Sequence, residues 1–66
     1  MERELPEDVR PRFAAAVRDF HAECFWWWDI DRPIATVEIA REVIRQLRLH
    51  GGRRGWLAAA ELVRCL

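Results

Sequence analysis

From Pro11 onward the apolar positions recur at helical spacing rather than alternating. Phe13, Val17, Phe20, Cys24 and Trp27/Trp28 fall at steps of four, three, four and three or four, the stripe of an amphipathic helix. The spacing predicts a first helix over 11–27, with Pro11 in its opening turn, where a missing N–H costs nothing. Residues 1–10 mix charge with Leu5 and Pro6 and keep no period. They read as an N-terminal arm, extended or with one frayed turn.

The stretch Asp29-Ile30-Asp31-Arg32-Pro33 ends the pattern, because Pro33 holds Arg32 extended and the aspartates favour turns. Thr36 then suits the N-cap of a second helix, expected over 37–49. Its apolar residues Val37, Ile39, Ala40, Val43, Ile44 and Leu47 sweep roughly 160° of the circumference at 100° per residue. That width exceeds one core contact and leaves Ile39 and Val43 as candidate surface. Glu38 with Arg41 and Glu42 with Arg45 stand three apart on the opposite side and support the helix modestly. Gly51-Gly52 reads as the stop, since glycine accepts the left-handed conformation that closes a helix, and His50 suits the negative end. Beyond the glycines, Trp56, Ala59, Ala60 and Val63, flanked by Leu62 and Leu66, predict a third helix over 54–65.

No segment reads as a strand. The expected fold is therefore all-α: a small three-helix bundle in which residues 11–66 form a single domain. In 66 residues the gain from burial and the entropy cost of ordering the chain are of similar size. With two cysteines there is no disulfide framework to tip that balance. Association as a homodimer or small homo-oligomer is accordingly expected.

Composition removes classes of chemistry. All eleven basic residues are Arg, and Lys, Ser, Asn and Tyr are absent. There is thus no serine nucleophile, no Schiff-base lysine and no phosphate-loop lysine, and Thr36 is the only aliphatic hydroxyl. The Arg-only, Ala-rich usage is a codon signature of a GC-rich, bacterial type of genome and bears on no function. A charged start, Met1-Glu2-Arg3-Glu4-Leu5, and apolar runs no longer than that of Cys24 to Trp28 predict a chain that is neither secreted nor membrane-spanning. Sparse cysteines then fit a reducing cytoplasm.

Phe25-Trp26-Trp27-Trp28 is the most unusual feature, because successive residues of a helix point 100° apart and cannot share one core. On a helix running to 27, Trp27 and Trp28 flank the core, Phe25 lies to the side and Trp26 projects away, near Ala15 and Ala22. Ala15, Ala22, Phe25, Trp26, Ile39 and Val43 are therefore the candidate partner or oligomer interface, with Phe25 and Trp26 as anchors.

His21, Cys24, His50 and Cys65 have the donor types of a zinc site, and His21 and Cys24 sit three apart. His50 and Cys65 lack close pairing and Cys24 falls on the core stripe, so a buried thiol, a border histidine and a capping histidine are the favoured reading, with no metal and no cofactor. His21-Ala22-Glu23 matches half of a zinc deaminase signature, but the Pro-Cys-x-x-Cys half is missing.

Net charge is +0 but uneven: residues 1–33 carry eight acidic and five basic groups, residues 34–66 three acidic and six basic. Arg45, Arg48, Arg53 and Arg54, with Arg41 on the same helical stripe, could hold an anion beside the Gly51–Gly55 segment. A solvated arginine face is the simpler account, and the third helix offers Ala58, Glu61 and Arg64, few groups for reading bases. The expected function is a non-catalytic protein–protein interaction or accessory module that self-associates through apolar aromatic surface. The alternative is anion or nucleic-acid binding through the arginine-rich second half.

Overall fold

The computed structural model describes residues 3–66, and among them it is all-α, with four helices: α1 (Arg10–Asp19), α2 (His21–Cys24), α3 (Val37–His50) and α4 (Gly52–Val63). The single helix expected over 11–27 is two. α1 closes at Phe20, whose backbone leaves helical geometry (φ −109°, ψ 18°), and one further turn, α2, closes at Phe25 (φ −130°, ψ 28°). The bonds from Phe20 N–H to Ala16 O (3.0 Å) and from Cys24 N–H to Phe20 O (2.8 Å) carry the chain through the bend.

The bend solves the aromatic problem. Phe25 O accepts from Trp28 N–H at 2.8 Å, closing a turn whose two middle residues are Trp26 and Trp27. Phe25 and Trp28, the two ends of that turn, go into the core and pack edge to face with centroids 5.6 Å apart. A straight helix would have buried Trp27 and left Phe25 at the side; instead Phe25 is fully buried and Trp27 is half exposed.

α3 starts as expected, with Thr36 extended and its Oγ1 accepting from Ile39 N–H at 3.3 Å. It is the central element, packed against α1, α2 and α4. Its wide apolar stripe is used up inside the protomer: Ala40, Val43, Ile44 and Leu47 are buried, while Val37 and Ile39 are half-buried against the same core. Residues 3–6 are extended and docked rather than free. Leu5 N–H donates to Ala35 O (2.8 Å) and Val37 N–H to Arg3 O (2.9 Å), an isolated antiparallel bridge that seats Leu5 in the core.

The third predicted helix starts two residues earlier than expected: α4 begins at Gly52, and Arg53-Arg54-Gly55 completes its first turn. Only Gly51 separates α3 from α4, and the positive φ (60°) falls on Gly52. α4 is also rotated about its axis from the expected stripe. Gly55, Ala59 and Leu62 face inward and Trp56 and Val63 outward. The crossing explains it: a Cβ on Gly55 would stand 2.4 Å from Leu47 O, so the helices meet backbone to backbone and only the smallest residue fits there.

Candidate interaction site

Trp26 and Trp27 stand together at the corner after α2. Trp26 is 70% exposed and Trp27 48%, their rings edge to face at 5.0 Å. His50, at the end of α3, meets the far side of Trp27 at 6.3 Å. The corner is held from below by His21, whose Nε2 donates to Trp28 O at 3.1 Å, and by Arg32, which covers the Trp28 ring at 4.6 Å. The two exposed indoles are therefore mounted on a turn whose ends are locked into the core. Rigid, large and amphipathic rings of this kind concentrate binding energy when a partner desolvates them.

Of the other candidate interface residues, Phe25 and Val43 are fully buried and offer no surface, which corrects their expected role as anchor and facing aliphatic. Ile39 is half-buried against the core. Ala22 is exposed on α2, and Ala15 borders a hollow of about 210 Å³ between α1 and α4, with Asp19 and Glu61 and without Trp26.

The arginines are drawn to separate neighbours. Arg48 lies over the Trp56 ring (5.3 Å), Arg54 over Phe20 of α1 (5.4 Å), and Arg45 pairs with Glu42 at 3.7 Å, while Arg53 is exposed in the first turn of α4. Glu38 accepts from the Arg3 backbone N–H (3.3 Å) instead of pairing with Arg41. The four arginines of the expected anion-binding set thus have four different surroundings.

Among the described residues no group of three or more His, Cys, Asp or Glu side chains converges as metal ligands would. Cys24 is buried beside Gly51. Cys65, at the end of α4, lies 3.8 Å from both Arg12 Nη1 and Glu61 O. Burial, and secondarily the Glu23 carboxylate, push the Cys24 thiol above the ordinary thiol range. The native state holds that proton more tightly than the unfolded chain does. The stability this contributes is complete below the ordinary thiol pKa and is lost as pH rises through the raised value. At neutral pH a thiol reagent should label Cys65 of the folded protein readily and Cys24 on the order of 100-fold more slowly, since reaction there must wait for opening. Mass spectrometry with and without urea checks this, and equal labelling of both native thiols would contradict it.

Sequence reasoning missed the flank of α3 and α4. Leu49 (60% exposed), Trp56 (57%), Val63 and Leu66 form exposed apolar surface there, beside Arg41, Arg45 and Arg48. The overlooked signal was the small-residue spacing Gly55-x3-Ala59, which marks the close-packed side of α4 and so places Trp56 outside.

Among the described residues, no helix is long and apolar enough to cross a membrane. Comparison with protein-family models, with curated proteins and with solved structures gives no significant match to this chain.

Proposed function

We propose that the protein is a non-catalytic interaction module that self-associates, as a homodimer or small homo-oligomer, through the Trp26–Trp27 corner. The observation that carries this reading is the exposure of Trp26: its ring, 70% open to solvent, serves no contact in the core and is fixed in place by the turn beneath it. Exposed apolar rings on so small a protomer mark a protein contact.

Static light scattering on native protein and on Trp26→Glu tests it. The native chain should have at least twice the protomer mass at high concentration, and the substitution should weaken association at least about 30-fold, as loss of a central aromatic anchor does. A native protein that stays at protomer mass removes self-association.

A further inference from the structure

A groove of about 710 Å³ lies between α3 and the C-terminal end of α4. Ile44, Leu49, Val63 and Leu66 give it an aliphatic floor, and Arg41, Arg45 and Arg48 form one wall. These arginines are exposed and stand at i, i+4 and i+7, a ladder of two turns that spans roughly 10 Å at 1.5 Å per residue. Among the described residues one carboxylate, Glu42, reaches the ladder, 3.7 Å from Arg45, and both partners are open to solvent, so the pair neutralises little. Arg48 also leans over Trp56, which extends the apolar surface along α4.

We propose that this groove binds one amphipathic helix of another protein, its apolar stripe on the aliphatic floor and a flank of Asp and Glu, spaced i, i+4 and i+7, against the arginine ladder. The inference rests on reading the chain as a binding module, but it uses a surface other than the Trp26–Trp27 corner and needs no self-association. A second copy is a poor occupant. Two such grooves meeting face to face would bring no acidic flank to either ladder, because no Asp or Glu among the described residues lines the groove, and unneutralised arginines gathered at one interface oppose association. Nucleic acid fits less well, because the floor itself is aliphatic and the chain has a net charge of +0.

The test is fluorescence anisotropy with three labelled helical peptides that share one Leu stripe and carry Glu, Gln or Lys on its flank. The Glu peptide should bind about tenfold more tightly than the Gln peptide at low salt, as three modest ion pairs allow, and the difference should shrink as salt rises. Arg41→Glu with Arg48→Glu should shift preference to the Lys peptide, a reversal that only folded protein can show. Leu49→Gln should weaken all three peptides, and Trp26→Glu should leave Glu-peptide binding unchanged. Glu-peptide binding by a protein that light scattering finds monomeric supports the groove while ending self-association; a self-associating protein indifferent to all three peptides does the opposite. Equal affinity for the Glu, Gln and Lys peptides, no binding, or displacement of the Glu peptide by an oligonucleotide at lower concentration than by unlabelled Glu peptide overturns the proposal.

Discussion

Phe25→Ala should leave the protein largely unfolded, whereas Trp26→Ala, one position along, should change its stability by no more than about 0.5 kcal/mol. Phe25 is wholly enclosed, in edge-to-face contact with Trp28. Truncating a buried phenylalanine costs about 3–5 kcal/mol, the lost transfer of the ring plus the cavity it leaves. A core of this size rarely supplies more than about 3–5 kcal/mol in total, so the loss approaches the whole. Trp26 has its ring in water, and removing it opens no cavity. Far-UV circular dichroism and urea titration of dilute protein separate the two. A helix continuing to 27 would make Phe25 the tolerant position, so a stable Phe25→Ala would show that α2 does not end where it is described.

Gly55→Ala should lower stability by about 2 kcal/mol, a fall of roughly 10 °C in Tm for a domain this small. The sign is the informative part. In an open helix interior, alanine in place of glycine adds about 1 kcal/mol of helix propensity. Here the new Cβ would stand 2.4 Å from Leu47 O and 3.3 Å from Leu47 C, backbone atoms of α3 that cannot rotate aside. α4 must therefore lift away from α3, loosening the packing of Ala59 and Leu62 as well. Gly52→Ala meets no atom within 4 Å but occupies φ 60°, which costs a side chain about 1–2 kcal/mol by backbone strain alone. A higher Tm for Gly55→Ala would contradict the close crossing.

Where the sequence was informative, it was so because one residue had one physical consequence. Thr36 caps the helix it precedes, and Pro33 stands in the segment between α2 and α3. The all-α class followed from spacing alone. The bend at Phe20 had no such marker: no glycine or proline lies between Pro11 and Pro33, and the break is driven by tertiary packing, which draws Phe25 inward and so turns Trp26 and Trp27 out. Trp26 was legible as surface because four consecutive bulky residues exceed any one helix face, even though the element carrying it is a turn. The outward face of α4 was misread for a related reason. Hydrophobicity places Trp56 inside, but the close α3–α4 crossing admits glycine and alanine and expels the indole. The Arg41–Arg45–Arg48 stripe was visible from spacing, while its apolar neighbours came together only through the fold.

The exposed Trp26 ring and its covering by a second copy can be followed on the intact chain by biosynthetic 5-fluorotryptophan labelling and fluorine NMR, with the Trp26 resonance assigned by Trp26→Phe. If this corner is where copies meet, that resonance shows a full H2O-to-D2O solvent isotope shift in dilute protein and loses it as concentration rises, while the buried Trp28 signal stays unshifted throughout. A Trp26 signal that remains solvent-sensitive at every concentration, or that is already shielded at the lowest, contradicts it.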